Sequence, residues 1–128
     1  MWSSPNTPRR HPSWVLSLGL TLLVVMSLST PSAAQGFFTT VTDLPLMGGM
    51  VELTDEALFY DKPEGRIVEV TAHGEVKRAD VVGFYTTTLP QLGWQPQGDQ
   101  YERDGERLSI TYQQTGGVLR IRLSINPK

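Results

Sequence analysis

The residue of this sequence best suited to acid–base chemistry is His73, which stands between Ala72 and Gly74 with Glu75 close by. An imidazole can act as a general base near neutral pH. Such a base needs an oriented acid and a nucleophile within hydrogen-bond reach. The neighbouring residues offer neither at a recognisable spacing. The pattern therefore favours a surface histidine at the end of a strand, and hydrolysis through His73 is the least favoured function.

A second candidate for chemistry is a dense group of carboxylates, Asp99, Glu102, Asp104 and Glu106. Several convergent carboxylate oxygens could hold a cation. Strand alternation sends these side chains to both faces of a hairpin, however, and Arg103 and Arg107 explain part of the group as exposed cross-strand pairs. We therefore predict no catalytic, metal-binding or cofactor-binding residue and no enzymatic activity.

Composition narrows the possible partners. The 128 residues include no cysteine, 11 Lys and Arg, and 13 Asp and Glu, for a formal net charge of −2. Without cysteine the chain can form no disulfide, thiolate nucleophile or thiol-linked lipid anchor. A slightly acidic balance gives no basic surface for a nucleic acid. We therefore expect no nucleic-acid partner.

Residues 1–34 have the pattern of a secretory signal peptide. Arg9 and Arg10 precede an apolar run from Trp14 to Leu28, and Ser32-Ala33-Ala34 then supplies the small residues that a signal peptidase reads. The run is shorter than the roughly 20 residues of a membrane-spanning helix. We predict cleavage after Ala34 and a periplasmic or secreted location. The alternative is an uncleaved anchor, the one way in which this chain would contact a membrane.

The segment 35–50 is predicted to be an arm or linker, because Pro45 and Gly48-Gly49 interrupt every helical or strand period. Its apolar residues either pack on the following domain or dock on a partner. Packing is the favoured interpretation, since apolar side chains usually cover an intramolecular surface. The side chains expected to pack are Phe37, Phe38, Leu44, Leu46 and Met47.

Residues 51–128 are predicted to form one small domain. It begins with two strands, 56–61 and 66–72, around the break Lys62-Pro63-Glu64-Gly65. A helix follows over 78–92, because Val81, Tyr85, Leu89 and Leu92 form one apolar stripe. Lys77 precedes this helix and is a poor N-cap.

The C-terminal third predicts a three-stranded meander with a fixed register. Asp104-Gly105 and Gly116-Gly117 are preferred two-residue hairpin turns. Pairing residues outward from the first turn sets Tyr101 opposite Leu108. Pairing outward from the second sets Tyr112 opposite Ile121, Ile110 opposite Leu123 and Leu108 opposite Ile125. Both turns place apolar residues on the same face, and a slip of one residue would invert that face.

Together these elements predict an α+β fold of order β-β-α-β-β-β, in which one amphipathic helix covers one face of an antiparallel sheet. The aromatic residues Phe84, Tyr85, Trp94, Tyr101 and Tyr112 could line a ligand pocket, but a domain this small needs them for its core. The predicted core comprises Tyr85, Leu89, Leu108, Ile110, Tyr112, Ile121 and Leu123.

The segment FYTTTLPQLGW (Phe84–Trp94) resembles the FY-x3-LP-x-LGW helix end of a group of uncharacterised small secreted or periplasmic proteins of Gram-negative bacteria. FYDKPEGRIVEV (Phe59–Val70) and YERDGERLSI (Tyr101–Ile110) add to the likeness, which covers most of residues 43–126. The resemblance implies an exported α+β domain. It implies no known activity and transfers no catalytic residue.

Two other functions are favoured over hydrolysis. The first is a small exported, non-enzymatic domain that acts by protein–protein contact, with another envelope protein as its partner. The second is a carrier or sensor that binds a small apolar ligand between helix and sheet, beside Tyr85, Trp94 and Tyr112. A cavity next to these three aromatic residues would favour the second function.

Overall fold

The computed structural model describes residues 36–128, together with Trp2, Ser3 and Pro5. The predicted signal peptide and its cleavage site after Ala34 lie outside the described residues. Within the described part of the chain, no helix is both long and apolar enough to cross a bilayer.

The described residues form a mainly antiparallel sheet with one α-helix, so the α+β class is confirmed. The short strands β1 (Gly36–Phe37), β2 (Pro45–Leu46) and β3 (Val51–Glu52) come first, and a 3-10 turn spans Thr54–Glu56. The long central strand β5 (Gly65–Gly74) follows β4 (Leu58–Lys62). Helix α1 (Arg78–Gln91) comes next, then β6 (Gln95–Gln97), β7 (Gln100–Arg103), β8 (Glu106–Thr115) and β9 (Val118–Pro127).

The main sheet has the order β3-β5-β9-β8-β7-β6, and β4 pairs with β5 on the same side as β3. The predicted order β-β-α-β-β-β therefore lacks β3 and β6, and it lacks the separate β1–β2 pair. These strands have two or three residues each. Such short runs cannot show the alternation by which a strand is recognised in a sequence.

The predicted register of the meander is confirmed at every pair that the two turns specify. Tyr101 faces Leu108, Tyr112 faces Ile121, Ile110 faces Leu123 and Leu108 faces Ile125. Asp104 and Gly105 both have positive φ, 50° and 78°, as a two-residue turn of this type requires. Local turn chemistry and the apolar pattern thus determine the same pairing.

Helix α1 begins at Arg78, as predicted, and its N-cap residue Lys77 makes no side-chain capping bond. Val81, Tyr85 and Leu89 are buried and belong to one hydrophobic cluster with sheet residues of β5, β8 and β9. Pro90 is tolerated because the helix ends one residue later, at Gln91.

Five of the seven predicted core residues are fully buried, namely Tyr85, Leu89, Leu108, Ile121 and Leu123. Ile110 and Tyr112 are half-buried and pack against the cluster from its margin. Both lie on the part of β8 beyond Ser109, where β7 no longer pairs with it and the strand has a described neighbour only in β9. Ile110 and Tyr112 were predicted to lie in the core, but they lie at its margin.

The segment 36–50 supplies core residues of its own. Phe38, Val41, Leu44 and Met50 are buried in the cluster, whereas Leu46 and Met47 are partly buried. Phe37 was expected to pack but is 48% exposed. It neighbours the buried Phe38 in an extended segment, where successive side chains point in opposite directions.

Candidate functional site

An exposed apolar patch lies on an edge of the sheet, at strand β4. Among the described residues β4 pairs with β5 alone, and all five of its residues are exposed. Leu58, Phe59 and Tyr60 are 46%, 57% and 56% exposed. We name these three residues the β4 edge patch. Large apolar side chains at an unpaired edge are costly in a soluble protein unless they serve an interaction.

The opposite edge of the sheet is protected, which makes the contrast informative. Its outermost strand is β6, the three residues Gln95, Pro96 and Gln97. Beyond Ser109, β8 also has no described strand beside it on that side, and its exposed residues there are polar, namely Thr111, Gln113, Gln114 and Thr115. Proline has no N–H to donate, and the glutamine side chains are polar. Short length, proline and polar residues are the usual devices against strand addition. Strand β4 is longer and carries apolar side chains at its first three positions.

The direction of the backbone groups of β4 follows from a bond in the adjoining strand. Leu53 donates its N–H to the Thr71 carbonyl at 2.8 Å, so the polar groups of Thr71 point toward the β3–β4 side. Orientation repeats at every second residue of an antiparallel strand. The N–H and C=O groups of Glu69 and Ile67 therefore also point toward β4.

Those two residues pair with Leu58 and Tyr60, whose N–H and C=O groups accordingly point inward to β5. Phe59 lies between Leu58 and Tyr60, and Asp61 follows Tyr60. The N–H and C=O groups of Phe59 and Asp61 point away from the sheet. The β4 edge patch thus combines exposed apolar side chains with outward-facing donors and acceptors.

The side chains of the patch lie on two faces. Phe59 faces Val68, which is 1% exposed, so Phe59 continues the core face beyond its covered part. Leu58 and Tyr60 lie on the opposite face, beside Glu69 and Ile67. A strand placed alongside β4 would contact apolar groups on both faces.

Two contacts made by carboxylate groups hold the segment 36–50 near this edge. The first is the carboxylate of Glu52, at the end of β3. It accepts hydrogen bonds from the Thr39 N–H at 2.8 Å and the Thr39 hydroxyl at 2.7 Å. It also accepts one from the Thr40 N–H at 3.3 Å and one from the Thr40 hydroxyl. Burial alone would raise the pKa of Glu52, but these bonds together lower it.

The second contact joins the segment 36–50 to the β4–β5 hairpin through Asp43. Arg66 donates to Asp43 at 2.9 Å and Arg103 donates to it at 2.7 Å. Arg66 also donates through Nε to Glu106 at 2.6 Å. Burial would raise the pKa of Asp43, but hydrogen bonds from the two arginines hold it below its ordinary value. The same bonds, those to Glu106 first, raise the pKa of Arg66.

The lowered pKa values of Asp43 and Glu52 predict that the fold becomes less stable in acid. A carboxyl group whose pKa is lower in the folded state stabilises that state above its unfolded pKa and loses the effect as the pH falls. The melting temperature should therefore decrease as the pH drops below about 4.5, the ordinary pKa of Glu52. Asp43→Asn and Glu52→Gln should each lower the melting temperature at pH 7 and flatten its decrease in acid. Asp99→Asn, in an exposed turn, is the control. If the melting temperatures of Asp43→Asn and Glu52→Gln decrease in acid as steeply as that of the parent, the prediction is wrong.

On the face opposite the core, ion pairs flank the patch. Arg120 pairs with Glu56 of the 3-10 turn, and Arg122 pairs with Glu69 at 3.2 Å. Both acidic groups lie next to β4 in sequence or in register. Lys62, at the end of β4, has no ion-pair partner among residues 36–128.

His73 lies one residue before the end of β5, half-buried, with Val51 and Arg120 as its neighbours across the strands. Within residues 36–128 it forms no hydrogen bond or ion pair through its ring, and no three His, Asp or Glu side chains converge in a way that could hold a metal ion. The structure therefore does not bring an acid and a nucleophile to His73.

The carboxylates predicted to form exposed cross-strand pairs with Arg103 and Arg107 do so only in part. Glu102 pairs with Arg107 at 3.6 Å and with Lys128 at 2.7 Å. Arg103 faces Glu106 in the register, but it binds Asp43 and the Leu92 carbonyl instead, and Glu106 binds Arg66. Asp43 lies 60 residues away in sequence, so no local pattern could have indicated it.

The aromatic residues considered for a ligand pocket belong to the hydrophobic cluster or pack against it. Tyr85 and Trp94 are buried, and the Tyr85 hydroxyl donates to the Pro45 carbonyl at 2.9 Å. Arg103 stacks over the Trp94 ring at 4.2 Å. Cavities of about 380 Å³ and 90 Å³ occur elsewhere, beside Glu102 and Lys128 and beside Thr111 and Arg122. Neither is lined by Tyr85, Trp94 or Tyr112.

Comparison of the chain with protein-family models, with curated proteins and with solved structures finds no match. The resemblance of Phe84–Trp94 to a group of secreted Gram-negative proteins is therefore not tested. Function has to be inferred from the residues of the site, and the β4 edge patch is the feature that the packing of the domain leaves without a role. Sequence reasoning missed it, because Leu58-Phe59-Tyr60 is also what a buried strand would contain.

Proposed function

We propose that this protein is a small exported, non-enzymatic domain that acts by protein–protein contact in the bacterial cell envelope, through strand addition at β4. A partner strand would pair with the outward N–H and C=O groups of Phe59 and Asp61. Its side chains would cover Leu58, Phe59 and Tyr60. In this proposal helix α1 and the segment 36–50 cover the core face of the sheet and hold the edge rigid for pairing.

A single observation carries the proposal, namely three consecutive large apolar side chains about half exposed on an unprotected edge. Half-exposed residues of this size present roughly 300 Å² together, within the range of functional surface patches. Strand addition is an established mode of recognition, in which the main chain supplies affinity and alternate side chains supply specificity.

The exported location is supported by the pattern of residues 1–34, and it can be tested separately. We predict that the protein in its native cells begins at Gln35, because Ser32-Ala33-Ala34 supplies the small residues that signal peptidase requires. Mass spectrometry of the protein from isolated periplasm would measure the N-terminus. A full-length chain in the membrane fraction would contradict cleavage.

Contact through β4 predicts a site-specific cross-link. A photoreactive amino acid at Tyr60, introduced in living cells, should give a discrete adduct of higher mass. The same amino acid at Val82 is the matched control, because Val82 is a 38% exposed apolar residue on the helix. Adducts at neither position, or equal adducts at both, would contradict the proposed function.

A further inference from the structure

We infer that the strand that pairs with β4 is β4 of a second copy of this chain, antiparallel about a two-fold axis that passes beside Phe59. The inference rests on the function proposed above and names its partner. A second copy presents the same surface, so the interface must be self-complementary. Backbone groups, side chains and charges of the segment 56–62 each meet that condition.

The backbone groups fit a two-fold axis beside Phe59. The N–H and C=O of Phe59 point out of the sheet, so two copies of Phe59 would exchange two hydrogen bonds. The next outward residue, Asp61, would then face Ala57 of the second copy. Ala57 has extended backbone, with φ −70° and ψ 133°, and donates its own N–H to the Thr54 carbonyl. Its carbonyl oxygen can accept from the Asp61 N–H, which adds one bond on each side of the axis.

The apolar side chains meet one another in this register. Leu58 faces Tyr60 of the second copy, and Tyr60 faces Leu58, so two identical apolar pairs form on the face opposite the core. Phe59 faces Phe59 on the core face. Apolar and aromatic cross-strand pairs of this kind are the contacts that stabilise a sheet.

Charge selects this register over its neighbour. With the axis at Phe59, Lys62 faces Glu56 of the second copy, a carboxylate that pairs with Arg120 within its own chain and can accept from a second cation. Lys62 has no ion-pair partner among residues 36–128 of its own chain. With the axis at Tyr60, Lys62 would face Leu58 and Asp61 would face Phe59. That register sets two charged groups against large apolar side chains, whereas the register at Phe59 sets only Asp61 against the small side chain of Ala57, which is less unfavourable.

Self-complementarity also favours a second copy over an unrelated protein. In this register the acid Glu56 meets the base Lys62 and the apolar Leu58, Phe59 and Tyr60 meet one another, whereas Asp61 meets the small side chain of Ala57. A surface that binds a different protein has no need to match itself. The sheet that results continues from one copy into the other across β4 and removes one edge from each.

The test uses cysteine pairs, because the chain contains no cysteine of its own. Leu58→Cys and Tyr60→Cys are each expressed from the full-length gene and purified after any processing of the N-terminus by the cell. Each variant alone and an equal mixture are then oxidised. Leu58 and Tyr60 point their backbone groups inward, so they would form a non-hydrogen-bonded pair, in which the side chains are closest. We expect a disulfide dimer in the mixture and little in either variant alone.

Sedimentation equilibrium of the unmodified protein gives the second measurement. We expect a dimer that Leu58→Asp weakens by at least about 30-fold, the loss typical of a central interface residue. Lys62→Glu should also weaken it, and Lys62→Arg should not. Gln113→Asp, at an exposed position on another strand, is the matched control and should leave the dimer intact. Melting curves of all variants establish that they are folded.

The outcomes separate the inference from the proposed function. A disulfide formed by Tyr60→Cys alone would overturn the register. A protein that stays monomeric up to about 1 mM, the limit of weak association, would overturn self-pairing. If the photoreactive group at Tyr60 then still links a different polypeptide, contact through β4 stands with another partner. If it links nothing, both proposals fail.

Discussion

Replacing Leu123 by alanine is expected to lower the free energy of unfolding by about 2–5 kcal/mol, the usual cost of truncating a buried leucine. Leu123 is fully buried in β9, and β9 lies between β5 and β8. Its cross-strand neighbours are Val70 on one side and Ile110 on the other. Strands on both sides fix the backbone, so the cavity left by the missing atoms could close only in part.

The matched control is Ile110→Ala, on the neighbouring strand and the same face. Ile110 is only half-buried, so its truncation removes fewer contacts and should cost clearly less. In a domain of this size each 1 kcal/mol lowers the melting temperature by roughly 4–8 °C. Thermal unfolding followed by circular dichroism would resolve the difference. Equal losses in the two variants, or a negligible loss for Leu123→Ala, would mean that the β8–β9 register differs from the one described.

That register could be predicted from sequence because two independent local signals agree on it. Asp104-Gly105 and Gly116-Gly117 each define a two-residue turn, and each turn sets apolar residues opposite one another. The helix could be predicted for a similar reason, since the stripe from Val81 to Leu89 lies within one continuous segment. Features fixed by contacts close in sequence are those that a sequence displays.

The segment 36–50 shows what local signals cannot convey. Its place depends on Asp43 binding Arg66 and Arg103, and on Glu52 binding the segment at Thr39 and Thr40. The partners of Asp43 lie 23 and 60 residues away. Nothing in the segment itself indicates which charges it meets.

The candidate site was hidden for a different reason. Leu58-Phe59-Tyr60 is apolar enough for an interior strand, and nothing in its composition shows whether a second neighbour exists. Only the strand order shows that β5 has β9 on one side, with β3 and β4 sharing the other. A surface of this kind is a property of topology, whereas a catalytic motif is a property of spacing. The first cannot be read from an isolated sequence.

The close approach of two backbone segments at Gly74 predicts the second large effect. Gly74 ends β5, where that strand passes the loop before β3. A Cβ at this position would overlap the Gly49 carbonyl oxygen and lie 3.2 Å from the Met50 Cα. Both obstacles are backbone atoms, and Gly49 has a φ of +88°, which few residues other than glycine adopt. Neither atom can move away by a change of rotamer.

Gly74→Ala should therefore lower the free energy of unfolding by about 1–3 kcal/mol or more, as overpacking does in well-packed sites. Gly83→Ala is the matched control, because it adds the same methyl group in helix α1, where no atom lies within 4 Å. It should raise stability by up to about 1 kcal/mol, the gain in helix propensity from glycine to alanine. Urea unfolding of both variants would measure these opposite signs. A Gly74→Ala variant as stable as the parent would show that β5 and the 47–50 loop lie further apart, and the loop that leads into β3 would then no longer be held against the sheet edge at which we place the partner strand.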